Sequence, residues 1–104
     1  MDQMEMIIFE IINYGGTAKG LAYEALEAAE QGDYEKAEQL LKESDENLVK
    51  AHQIQTTLIQ DEAAGKHHDV TVLFVHAQDH LMTAMEARTL IEYIIKMHKK
   101  IDSK

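Results

Sequence analysis

Apolar residues recur along this chain at alternating intervals of three and four, the spacing of one face of a helix, in three long runs. The first, about Gln3 to Gln31, carries Met4, Ile8, Ile11, Gly15, Ala18, Ala22, Ala25 and Ala29, with Ile7, Tyr14 and Leu21 as a second stripe beside them. Two stripes on one helix predict contacts with more than one neighbour. The second run, about Tyr34 to Glu62, carries Tyr34, Ala37, Leu41, Ser44, Leu48, Ala51, Gln55 and Leu58. The third begins at Val70 and carries Leu73, His76, His80, Thr83, Ala87, Leu90, Ile94, Met97 and Ile101. Three helices of roughly 29 residues, each about 40 Å long at the α-helical rise, predict an all-α, up-down-up three-helix bundle.

The breaks between the runs carry their own signals. Gly32 tolerates the left-handed conformation that ends a helix, and Asp33 can cap the next by accepting a bond from a free amide of its first turn. In the segment from Ala63 to Asp69, Gly65 marks the loop and Asp69 is the expected N-cap of the third helix. Gly15 and Gly16 fall inside the first helix, where each costs about 1 kcal/mol relative to alanine. The narrow stripe of Ala18, Ala22 and Ala25 that follows favours close approach of another backbone over a bend.

Composition narrows the class. The chain has 104 residues, 45% hydrophobic but only 6% aromatic, with no proline. That balance favours long helices over a sheet, and the length fits one domain across residues 1–104. Without cysteine there is no disulfide framework, thiolate metal site or cysteine nucleophile, which fits a reducing cytoplasm. The net charge of −9 opposes binding to nucleic acid or anionic membranes. No stretch approaches the roughly 18 apolar residues of a membrane span, so a soluble chain without membrane insertion or a targeting segment is expected.

Polar groups interrupt the third stripe for about two turns, and inside a seam they cost free energy unless satisfied. In His76-Ala-Gln-Asp79-His80 the two histidines stand at i, i+4 on one helix face, about 6 Å apart, with Asp79 on their flank. Counting levels across the second hairpin puts Gln55 at nearly the height of His76, with Ile8, Phe9 and Ile12 of the first helix as apolar walls. Three readings are open. Two histidines and a carboxylate form a common metal-ligand set, but the zinc-hydrolase pattern needs glutamate where Ala77 stands. Alternatively, the histidines are structural, satisfied by Gln55 and neighbours, in a non-catalytic helical interaction or metal-binding protein. Or one imidazole is a nucleophile, since this group is largely neutral at pH 7 and can attack phosphorus.

The run Val75-His-Ala-Gln-Asp-His-Leu-Met-Thr83 resembles the active-site signature of the lactose/cellobiose-specific enzyme IIA family of the bacterial sugar phosphotransferase system. The segments Gly20-Leu-Ala-Tyr-Glu-Ala25, Gln31-Gly-Asp33 and Ala51-His-Gln-Ile-Gln-Thr56 are also similar to the family pattern, so the likeness covers nearly the whole chain. It implies a homotrimer of three-helix protomers and a phosphoryl carrier. His76 would accept phosphate from phospho-HPr and pass it to the cysteine of the cognate IIB, and through it to IIC, for uptake of a disaccharide such as cellobiose, chitobiose or lactose. It also implies a divalent metal ion, Mg2+, held near the trimer axis by Asp79 of each subunit. Val72, Val75, Asp79 and Met82 form a stripe that suits this use, because three carboxylates converging on one cation offset the cost of a lone charge there.

The other roles follow from the same likeness. His80 would donate to a phosphoryl oxygen or orient His76, or else be structural as a seam residue, and Gln55 would donate to the phosphate or else be a satisfied core amide. Thr83 is expected to pack, with its hydroxyl bonded back to the helix. His52 stands near Gln55, whereas His67, His68 and His98 are expected to be solvated. Glu86 departs from the apolar continuation of the Asp79 stripe, and Met82-Thr-Ala-Met85 looks closer to the cellobiose or chitobiose branch than to the lactose branch.

Overall fold

A computed structural model describes residues 2–104. It contains three helices, α1 (Gln3–Glu30), α2 (Tyr34–Ala63) and α3 (Val72–Asp102), in an up-down-up bundle with extents of 56 × 25 × 20 Å. No helix among the described residues is long and apolar enough to cross a membrane.

Each helix starts where a side chain satisfies a free amide of its first turn. Asp2 accepts from the Glu5 amide at 2.8 Å, Asp33 from Lys36 at 3.1 Å and Thr71 from Phe74 at 3.1 Å. The expected cap at Asp69 is thus replaced by Thr71, and α3 begins two residues later than anticipated. Both residues can cap, but it is the Thr71 hydroxyl that reaches the Phe74 amide. Both earlier helices end in the same way. Gly32 and Gly65 have φ of +80° and +89°. Beyond them, the Asp33 amide returns to the Ala28 carbonyl at 2.9 Å and the Lys66 amide to Asp61 at 2.8 Å, the six-to-one bond of a Schellman cap.

α1 is the shared wall. It packs extensively on both partners, while α2 and α3 touch each other little. Its buried residues are Ile8, Ile11, Gly15, Ala18, Ala22, Ala25, Ala28 and Ala29, and those of α2 are Ala37, Leu41, Ser44, Ala51, Gln55 and Leu58, so both expected stripes face inward. The alanines let the axes come close. One consequence is a buried hydrogen bond between helices, the Ser44 hydroxyl donating to the Ala18 carbonyl at 2.7 Å.

The third stripe is not the one expected. α3 buries Ala77, Leu81, Ala84, Ile91 and Ile95, and leaves Leu90, Ile94, Met97 and Ile101 exposed. The true seam is one residue on, about 100° around the helix. Polarity decides between the two faces: the seam takes the apolar set Ala77, Leu81, Ala84, Ile91 and Ile95, and the stripe that carries His76, His80 and Thr83 is turned out of it. Val72, Val75 and Met82 are exposed too, so α3 shows an apolar face along nearly its whole length, with Val72 89% accessible. A face of that extent marks an interaction surface.

Where α2 and α3 do meet, Arg88 ties them. Its Nε lies 2.7 Å from Asp45 Oδ1 and it donates from its second terminal nitrogen to Oδ2 at 2.9 Å, while the other terminal nitrogen bonds Glu92 one turn along α3. The Arg88 hydrogen bond holds the Glu92 carboxyl below the ordinary carboxylate range, against a smaller upward push from partial burial. A carboxyl depressed in the folded state stabilises above its unfolded pKa and loses that contribution as pH falls through the folded value. Arg88→Met is therefore expected to cost about 1 kcal/mol at neutral pH. In urea titrations the gap from the native protein should narrow in acid, below the normal carboxylate pKa; a gap that stays constant into strong acid would remove Glu92 from the account.

Candidate active site

The histidine pair sits on the first three turns of α3. The rings of His76 and His80 stack with centroids 5.9 Å apart and planes inclined by 21°. His76 is exposed and His80 half-buried, so the premise of polar groups sealed in a seam gives way to a pair at its rim. What His80 rests on is α1. A Cβ at Gly15 would lie 3.5 Å from His80 Cδ2 and 3.6 Å from Leu81 Cα, and one at Gly16 would lie 3.1 Å from His80 Nε2. The two glycines face this ring, but only Gly16 is tight: an added Cβ at Gly15 would make ordinary contacts, and what stands close to Gly16 is an imidazole rather than the backbone anticipated. They replace the walls expected from Ile8, Phe9 and Ile12: Ile8 lies in the core, Ile12 packs against it and Phe9 is at the surface. Thr83 makes the expected back-bond, its hydroxyl donating to the His80 carbonyl at 3.1 Å, but it is exposed rather than packed.

Gln55 is not brought to the pair. It is only 7% exposed, and its amide donates to Gln78 Oε1 at 2.8 Å. The level count was sound but the face was not: Gln78 is two residues past His76, about 200° around α3, so the amide is held on the α2 side. There Gln55 and Gln78 border a small cavity of about 180 Å³ with Leu58, Phe74 and Val75, and neither histidine lines it. His52 pairs with Thr56 on its own helix at 3.4 Å rather than joining a site. Two histidines expected to be solvated have partners instead: His68 Nε2 lies 3.3 Å from Asp61, and His98 Nδ1 lies 2.8 Å from the Tyr34 hydroxyl, which also donates to Asp102 at 2.7 Å. The last link holds the end of α3 against the start of α2.

Asp79 is exposed on the outer stripe between Val75 and Met82, and Glu86 is exposed beyond it. Among the described residues no group of three histidine, cysteine or acidic side chains in one chain could hold a metal ion. The Asp79 carboxylate offers oxygen donors, the kind that suit a hard cation.

A family model described as PTS system, Lactose/Cellobiose specific IIA subunit matches residues 6–99. The chain belongs to this family. It is thus a IIA component of the sugar phosphotransferase system, and its activity is that of a phosphotransferase. The lichenan-specific phosphotransferase enzyme IIA component of Bacillus subtilis (strain 168) is 48% identical over 100 residues, covering 96% of this chain and 91% of that one. Among solved structures, the cellobiose-specific enzyme IIA from Bacillus anthracis superposes with a TM-score of 0.97 at 39% identity, over 100% of this IIA chain and 95% of its own. The IIA(Chitobiose)–HPr complex of the Escherichia coli phosphotransferase system superposes with a TM-score of 0.85 at 39% identity, over 98% of this chain and 99% of the other. Within the IIA chain, Gly16 was not anticipated as a neighbour of the histidines; two adjacent glycines inside a helix, at a cost that needs a reason, were the available signal.

Proposed function

We propose that His76 is the residue that carries the phosphoryl group, received from phospho-HPr and delivered to a cysteine of the cognate IIB. The observation that carries this is the exposure of His76 beside the half-buried ring of His80. A packing histidine would be buried, so the structural reading has no purchase on His76. A free ring nitrogen attacks phosphorus in line, the P–N bond to the donor histidine breaks as a P–N bond to His76 forms, and later the P–N bond to His76 breaks as the IIB thiolate forms a P–S bond and the imidazole is released. In such transfers positioning and charge stabilisation supply most of the rate. His80 is placed to orient the His76 ring or to donate to a phosphoryl oxygen. The reaction belongs in the reducing cytoplasm, where an acceptor cysteine remains a thiol. The sugar, cellobiose, chitobiose, lactose or a related saccharide, is handled downstream by IIB and IIC.

The active species in this reading is a homotrimer built on the outer face of α3. Asp79 of each subunit holds one divalent cation, Mg2+ by its preference for oxygen donors, which neutralises carboxylates among apolar neighbours. Its chemistry is structural. With the metal present, Asp79→Asn should leave helix content unchanged and remove the metal dependence of trimer stability seen by sedimentation; a native protein that sediments as a monomer would sink the trimer.

The transfer itself is tested by incubating the native chain with phosphoenolpyruvate, enzyme I and HPr and reading intact mass. One phosphoryl group, lost on acid treatment, is the expected result. No gain, with folded protein and active HPr, would overturn the assignment.

A further inference from the structure

We propose that Gly16 is a positioning residue for this transfer, acting through the ring of His80; the inference rests on the reading of His76 as acceptor. The two glycines of α1 do different jobs. At Gly15 an added Cβ would meet the α3 backbone at Leu81 Cα as well as the His80 ring, at 3.6 and 3.5 Å, both ordinary contact distances. At Gly16 it would meet nothing but the His80 ring, with Nε2 at 3.1 Å and Cε1 at 4.0 Å. Gly20, one turn further along α1, has nothing within 4 Å. The space left open at Gly16 is therefore kept for one imidazole. That imidazole stacks on His76 at 5.9 Å. A methyl group at residue 16 must push Nε2 away by a few tenths of an ångström, turning the ring and disturbing the stack that orients the acceptor.

Two opposite effects make the inference testable. A helix interior prefers alanine to glycine by about 1 kcal/mol, so a purely structural Gly16 would yield a Gly16→Ala variant that is more stable and equally active. We expect instead a variant that unfolds at the same or higher urea concentration yet accepts the phosphoryl group from phospho-HPr about tenfold more slowly, the scale on which small misplacements act. Single-turnover transfer is measured for the native chain, Gly16→Ala, Gly20→Ala, His80→Gln and the Gly16→Ala/His80→Gln double variant, with imidazole 15N shifts of His80 recorded for the native chain and Gly16→Ala.

Support requires that Gly16→Ala be slow with moved His80 shifts, that Gly20→Ala match the native rate, and that Gly16→Ala add no further slowing once His80 is glutamine. If His80→Gln is slow but Gly16→Ala transfers at the native rate with unmoved shifts, the inference falls and the site stands. Equal slowing by Gly16→Ala with and without His80 means that Gly16 acts by another route, which also overturns it. A His80→Gln variant as fast as the native chain removes His80 from the reaction and Gly16 with it. A native chain that takes no phosphoryl group refutes the His76 reading itself.

Discussion

Replacing His76 with alanine is expected to abolish phosphoryl acceptance, with single-turnover transfer from phospho-HPr falling at least about a thousandfold, as when a nucleophile is deleted. The fold should be indifferent. His76 is exposed and no hydrogen bond among the described residues uses its ring, so its truncation belongs with surface substitutions, which stay within about 0.5 kcal/mol. Intact mass after incubation with phosphoenolpyruvate, enzyme I and HPr reads the outcome directly. Mass gain in the native chain and none in a variant of native helicity assigns the acceptor. An acid-labile group retained by the variant would move the assignment to another ring, with His80 first to test.

The largest loss of stability is expected from Leu81→Ala, about 3 kcal/mol by urea unfolding at a fixed protein concentration. Leu81 is 0% exposed and packs in a cluster with Ile8, Ile11, Ala51, Leu58 and Ala77. The cavity has little means of closing. Its neighbours Ile8, Ile11 and Ala77 are themselves buried and held in the same cluster, so they have little freedom to shift into the void. A cost under about 1 kcal/mol would mean that the site collapses freely and that the contact between α1 and α3 is looser than described.

How much of this was legible in the sequence depended on how many faces a helix presents. The stripes of α1 and α2 were readable because each helix has one main apolar face, rich in alanine on α1, and burial follows it except at Met4, Tyr34 and Leu48, which are partly exposed. On α3 two apolar faces lie one residue apart, and hydrophobicity alone favours the bulkier set through Leu90, Ile94 and Met97. The core took the neighbouring set, Ala77, Leu81, Ala84, Ile91 and Ile95, which carries no polar side chain, and left the stripe with His76, His80 and Thr83 outside. The histidine pair was legible from its i, i+4 spacing and its signature. The placing of Gln55 was not, since a level count along antiparallel helices fixes height but leaves the angle around α3 open, and Gln78 claimed the amide. Likewise the Tyr34, His98 and Asp102 link joins residues 64 and 68 positions apart in sequence, which no local pattern announces.

The central place of α1 has a thermodynamic consequence. One helix supplies the wall for both others, and α2 and α3 make little contact between themselves, so no pair of helices can shield its apolar surface without the third. Detaching α3 uncovers Ile8 and Ile11, and detaching α2 uncovers the alanine stripe that meets Ala37 and Leu41. Partly assembled forms of the protomer therefore sit high in free energy, and cooperativity in this bundle comes from the absence of a stable half.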